Sequence, residues 1–196
     1  MKRLFDIFAS GLGLLILSPL FLVVAIWIKI DSPGPVFYRQ VRVGRGNKDF
    51  RIYKFRSMKV GADKQGLITV GGHDPRVTRS GYFIRKYKLD EFPQLINVFV
   101  GDMSLVGPRP EVRKYVNMYT PEQMHVLDVR PGVTSLASIR YRNENELLDK
   151  AEDPDQFYID VVMQDKLAID LEYVQDASFW YDIKLIFKTF WEIISK

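Results

Sequence analysis

Asp90 and Glu91 stand side by side directly before Phe92-Pro93, where apolar residues at Phe92, Leu95, Ile96 and Phe99 set up a helical spacing. A carboxylate in the first turn of a helix lies where unpaired N–H groups favour negative charge. Asp90 is therefore expected to be ionised, the state a carboxylate nucleophile needs, and a magnesium ion can bridge such a group to phosphate oxygens. Glu91 can take a proton or orient an acceptor. Alone, the pair also has a plainer reading, two surface acids at a helix start. The cations nearby in the sequence weigh against it.

Lys54-Phe55-Arg56-Ser57-Met58, read as a strand, puts Lys54 and Arg56 on one face and Phe55 on the other, so two cations can meet one anionic ligand. Solvated charges on an amphipathic strand explain the same pattern. In Gly107-Pro108-Arg109-Pro110-Glu111, two prolines fix the backbone around Arg109 and reduce the entropy its side chain loses in holding a phosphate. The net charge of +4 comes from lysines and arginines crowded over 39–59 and 76–88, a patch that suits nucleic acid, anionic lipid or a diphosphate. With no cysteine there is no disulfide, thiolate metal site or cysteine nucleophile, and the two histidines, His73 and His125, sit in no metal-ligand spacing.

The elements that must position these groups begin with an uncharged run from Ile7 to Ile28, which as a helix rises about 33 Å, enough to cross a hydrocarbon core once. Ser18-Pro19 near its middle predicts a bend, with the Ser18 hydroxyl satisfying a freed carbonyl. Lys2 and Arg3 precede the run and Lys29 and a basic stretch follow it, so both ends are drawn to the cytoplasm. That favours a re-entrant hairpin over a kinked spanning helix. A β-hairpin is predicted over Val36–Phe55 around a turn at 44–47, and a long loop over 61–81. Helices are predicted over Ser80–Lys88, Phe92–Val100, Pro121–Val129, Pro154–Tyr173 and Phe179–Ile194, with 130–134 a turn; the aromatic and basic last helix suits a core or a membrane interface equally. The expected class is a helix-dominated α+β fold: a re-entrant membrane helix-hairpin (residues 1–30) on a small cytosolic domain (31–196) with a short β-hairpin and interfacial amphipathic helices.

Five blocks in one order resemble a known family over nearly the whole chain: Ser18-Pro19, Lys54 to Met58, Leu89 to Val98, Gly101 to Pro110 and Arg130 to Thr134. They are similar to the small monotopic phosphoglycosyl transferases, or bacterial sugar transferases. The resemblance implies a re-entrant helix broken at Ser18-Pro19, on the cytoplasmic face of a bacterial inner membrane. It implies ping-pong transfer of a phosphosugar from a UDP-sugar to undecaprenyl phosphate with release of UMP, assisted by Mg2+, with membrane lipid but no nucleic acid as a partner. Asp90 matches the nucleophile and metal contact, Glu91 its partner and Arg109 a phosphate-binding arginine; Lys54, Arg56 and Arg85 fall on basic positions, and Asp170 aligns with a later acidic residue of the substrate site. After Thr134 the chain reads Ser135-Leu136-Ala137-Ser138-Ile139-Arg140, departing from the family's pattern, so the resemblance carries no sugar identity. Two other functions fit the residues: a basic membrane-anchored binding protein, and a phosphohydrolase in which water resolves the aspartyl intermediate.

Overall fold

The computed structural model describes residues 1–66 and 74–194. His73 and part of the loop predicted over 61–81 lie outside the described residues. The fold is helix-dominated α+β, as expected.

Helix α1 (Lys2–Asp31) runs through Ser18-Pro19 without dividing into two helices, where two arms of a hairpin were expected. Proline removes the donor that would have paired with Leu15 O, and Ser18 Oγ donates to that carbonyl at 2.8 Å, so the helix continues with its backbone satisfied. The helix is long and apolar enough to cross a membrane. Yet it is tied to the rest of the chain at both ends. Near the amino terminus Arg3 donates to Val98 O (2.5 Å) and Phe99 O (2.9 Å), and the buried Asp6 accepts from Ser104 Oγ (2.9 Å) and Leu105 N (3.1 Å). At the other end Asp31 accepts from Ser80 N and Oγ at 2.9 and 2.8 Å. One side of α1 stays uncovered, exposing Leu4, Phe8, Leu15, Ile16, Leu22 and Ile30.

Strands β1 (Phe37–Val43) and β2 (Asp49–Phe55) pair antiparallel with Phe37 opposite Phe55 and Val43 opposite Asp49, around a turn in which Gly46 and Asn47 take left-handed φ. Met58 then bridges Val77, which closes the base of the following loop. Helix α2 (Arg79–Lys86) is capped by Thr78, whose hydroxyl accepts from Gly81 N at 3.0 Å. Lys88, at φ 56°, turns the chain into a tight Leu89–Glu91 turn that leads to α3 (Gln94–Val100), ended by left-handed Gly101. A non-glycine residue there costs about 1 kcal/mol of backbone strain.

A second, parallel pair unites β3 (Ser104–Val106) with β4 (Gly132–Thr134), the latter read from sequence as a turn. Between them come α4 (Arg113–Val116) and, where a helix was expected over 121–129, a 3-10 turn at Gln123–Asp128. Then follow α5 (Leu136–Arg140), α6 (Glu144–Asp149), α7 (Pro154–Phe157), a wide π turn over Tyr158–Val162, α8 (Met163–Asp176) and α9 (Phe179–Ile194). The cores that hold the site are local. Val24 and Ile28 of α1 pack with Phe55 and Ile84; Ile52 packs with Val98 and Met103; Val112 and Tyr115 pack with Leu148, Tyr158 and Val162.

The parallel pair works only with glycine at its crossing. A Cβ on Gly132 would press into the N, O and Cα of Gly107, all backbone atoms with no means of yielding. Gly132→Ala is expected to lower stability by at least about 3 kcal/mol, read as a fall in the midpoint of thermal unfolding in detergent.

Candidate active site

Lys54, Arg56, Arg85, Asp90, Glu91 and Arg109 all line one open cavity of about 1080 Å³, large enough for a nucleotide diphosphate-sugar. Each is delivered by a separate local device. Lys54 is held by β2, whose outer edge is pinned to α3: Asn97, fully buried, accepts from Tyr53 N (2.8 Å) and donates to Arg51 O (2.8 Å), satisfying backbone groups that no strand pairs. Arg109 is held by the parallel pair, with Gly107 N donating to Thr134 O (3.1 Å) and Gly132 N to Pro108 O (2.9 Å). The strained turn at Lys88 and the Leu89–Glu91 turn bring the two acids between them.

Neighbours in sequence, the two acids have opposite environments. Glu91 is fully engaged: Arg109 Nη1 donates to Oε2 at 3.2 Å and Nη2 donates to Oε1, while Lys54 Nζ donates to Oε1 at 3.2 Å. Burial raises the Glu91 pKa, but the Arg109 and Lys54 charges outweigh it and hold the carboxyl well below the usual range. In return Glu91 holds Arg109 firmly protonated, while burial draws the Lys54 ammonium down. Asp90 is buried, and its Oδ1 has no hydrogen-bond partner. Burial, with the Glu91 charge beside it, pushes the Asp90 carboxyl up against the pull of Lys54, Arg85 and Lys88. In this turn the desolvation of the carboxylate and the Glu91 charge work against the pull of the local cations and of the helix start.

Among the described residues no group of three or more His, Cys, Asp or Glu forms a metal cage. Magnesium does not need one, since it is commonly held by one or two carboxylates together with substrate phosphates. A single carboxylate that lines the cavity, as Asp90 does, fits that requirement; Glu91, with both oxygens paired, does not.

Arg56 and Asp170 are placed differently from the other candidates. Arg56 lines the cavity and is also tied to the turn after α1, with Nη2 donating to Ser32 O at 2.8 Å and Nη1 to Pro33 O. Asp170, on α8, stays out of the cavity lining and faces the Ser135 hydroxyl and the backbone N–H of Arg109, with Oδ1 unpartnered. Burial pushes its pKa up to about 7. Between the ordinary carboxyl value of 3.8 and about 7 the native state holds a proton the unfolded chain has released, so stability falls as pH rises through this window. Asp170→Asn, neutral at every pH, is expected to stabilise the chain at pH 8 by on the order of 3 kcal/mol. The gain shrinks as the pH falls and vanishes below the unfolded value, and thermal melts across pH read it directly.

Sequence reasoning missed the scaffold behind Arg109. Glu111 accepts from Arg42 Nη1 (3.0 Å) and Val112 N (2.7 Å), and Tyr158 donates to its other oxygen. Lys166 pairs with Glu144 at 2.9 Å, both on the cavity wall. The signal was Glu111 itself, an acid directly after the proline-flanked arginine.

The family model described as bacterial sugar transferase matches residues 1–196. The chain is 42% identical over 99% of its length to a UDP-N-acetylgalactosamine-undecaprenyl-phosphate N-acetylgalactosaminephosphotransferase of Aeromonas hydrophila, covering 44% of that protein. It is 39% identical over 96% of its length to a UDP-glucose:undecaprenyl-phosphate glucose-1-phosphate transferase of Escherichia coli (strain K12), covering 39% of it. It is 40% identical over 96% of its length to the exopolysaccharide production protein PSS of Rhizobium leguminosarum bv. phaseoli, covering 92% of it. The chain thus spans less than half the length of the first two, and it belongs to the bacterial sugar transferase family.

Proposed function

We propose that the chain transfers a phosphosugar from a UDP-sugar to undecaprenyl phosphate, with Asp90 as the nucleophile. The observation that carries this reading is the asymmetry of the acid pair: Glu91 has both oxygens paired by Arg109 and Lys54, while Asp90 lines the same cavity with its buried Oδ1 unpartnered.

In the first step an Asp90 carboxylate oxygen attacks the β-phosphorus of the UDP-sugar, and the bond from that phosphorus to the bridging oxygen breaks, so UMP leaves with the electron pair. In the second a phosphate oxygen of undecaprenyl phosphate attacks the same phosphorus and the Asp90–phosphorus bond breaks, regenerating the carboxylate. Lys54 and Arg109 hold Glu91 ionised and rigid beside the reacting phosphate and present positive charge to its oxygens. Arg85 and Lys88 favour the charged form of Asp90. A Mg2+ bound through Asp90 would neutralise phosphate charge and favour the carboxylate form that attacks.

The reading places the protein on the cytoplasmic face of a bacterial membrane, with α1 entering and leaving by one side. Its support is that Arg3, Asp6 and Asp31, at opposite ends of α1, all bond to the same body, while the apolar side between them stays uncovered.

The test incubates detergent-solubilised protein with Mg2+, undecaprenyl phosphate and a panel of UDP-sugars. UMP release matched by lipid-linked sugar diphosphate is expected from at least one sugar. Free sugar phosphate in its place would identify a hydrolase, and no release from any sugar would leave a binding role.

A further inference from the structure

Two stretches of chain bring contrasting sets of charged side chains to the cavity. Residues 54–88 bring seven cations and a single acid, Asp63, a surplus that suits a diphosphate. Residues 138–192 bring four charges, and each is paired with its opposite: Arg142 Nη1 with Glu192 Oε2 at 2.6 Å, and Lys166 Nζ with Glu144 Oε2 at 2.9 Å. With no net charge, and with Asn143 and Asn145 beside it, this second set suits an uncharged polar group. The Lys166–Glu144 pair joins α8 to α6, and Lys166 Nζ lies 5.4 Å from the centroid of the Tyr158 ring, whose hydroxyl is tied to Glu111. The Glu144 carboxylate accepts no other hydrogen bond among the described residues, which leaves Oε1 without a partner on a side chain that is 26% exposed.

We propose that a hydroxyl of the donor's sugar bridges Lys166 and Glu144, accepting from the ammonium and donating to Glu144 Oε1, and that this pair selects which UDP-sugar reacts. The inference rests on the transfer reading above and adds which part of the donor meets which residues. A hydroxyl both donates and accepts at one atom, whereas an ammonium only donates and a carboxylate only accepts, so a hydroxyl satisfies both without breaking the ion pair. Uracil is uncharged too, but position favours the sugar. The sugar is bonded to the phosphorus that Asp90 attacks, while the uracil stands a second phosphate and a ribose away. Glu144 belongs to the reacting end, since its charge acts on Arg109, the partner of Glu91. A site that hydrogen-bonds a substrate hydroxyl rejects the analogue lacking it, because its own polar groups are then left unpaired.

Two measurements on the full chain in detergent test the proposal. The first takes the UDP-sugar that releases UMP fastest and its monodeoxy analogues, one for each ring hydroxyl. In the unaltered chain one analogue is expected to lose about a hundredfold in kcat/KM, and in Glu144→Ala the same analogue should lose less than about fivefold against its parent, since the group that read the hydroxyl is gone. A deoxy penalty that is the same in both chains at every position overturns the assignment. Should Glu144→Ala fail to fold, Glu144→Gln, which keeps an acceptor, should cut the penalty to about tenfold. The second measures UMP, which has no sugar: its Kd should be equal in the unaltered chain and in the variant. A UMP Kd that rises with the donor KM would show that the pair reads the nucleotide and would overturn the proposal. The transfer reading is judged separately, since it fails only if no donor gives Asp90-dependent UMP release from the unaltered chain.

Discussion

Asp90→Asn is expected to abolish UMP release, with a loss of about four orders of magnitude or more. Asparagine fills the same volume, and a buried site with one unpartnered oxygen accepts an amide without losing an ion pair, so the fold should persist. What disappears is the negative oxygen that bonds to phosphorus. Incubating the unaltered chain with a UDP-sugar and no lipid acceptor should add the mass of one phosphosugar to the peptide bearing Asp90, and the variant should show no adduct. Retained UMP release by Asp90→Asn would refute Asp90 as the nucleophile and make Glu91 or water the attacking group. Glu91→Gln is the companion variant: it should slow both half-reactions yet still allow the adduct to form on prolonged incubation.

Arg109→Gln carries the second largest effect. The forked pair with Glu91 is its main contact, and removing it leaves a buried carboxylate with Lys54 alone. Breaking one side of such a pair costs about 3 kcal/mol in stability, discounted here because the Arg109 side chain is 32% exposed. Loss of a preorganised cation at the phosphate is expected to lower kcat by a further factor of about a hundred to a thousand. The pH profile separates the two causes. Arg109 holds Glu91 well below the usual carboxylate range, so in the variant the acid limb of the rate should move up in pH. Activity present above the Glu91 pKa would then be lost earlier as pH falls. Arg109→Lys keeps the charge but not the fork, and should restore stability more fully than rate. An acid limb that does not move would detach Glu91 from the rate profile.

Where a local signal sufficed, the sequence predicted the element. The β-hairpin was legible from alternating strand formers around Gly44 to Asn47, and α3 from the spacing of Leu95, Ile96 and Phe99. The acids and cations of the cavity were legible because their residue types are few and their blocks occur in a family order. Three features were not. Strands β3 and β4 are three residues each, too short to show periodicity, and their partnership depends on two glycines far apart in the chain. The upward push on the Asp90 carboxyl follows from burial, which no neighbour in sequence reports. Arg56 matched a basic position, but its carbonyl partners, Ser32 and Pro33, come from a turn distant in sequence.

The docking of α1 at both ends makes its length a ruler. Asp6 and Asp31 lie about seven helical turns apart, close to a whole number, so both carboxylates leave the same side of the helix and reach their serines together. Inserting a single residue between them would rotate one end by about 100° and advance it about 1.5 Å, and one dock would have to open. Membrane helices fixed only by hydrophobicity drift in length as lineages diverge. Here insertions and deletions should be excluded from the segment between the two aspartates even though its uncovered side tolerates exchange among apolar residues, so the segment varies in composition and keeps its number of residues.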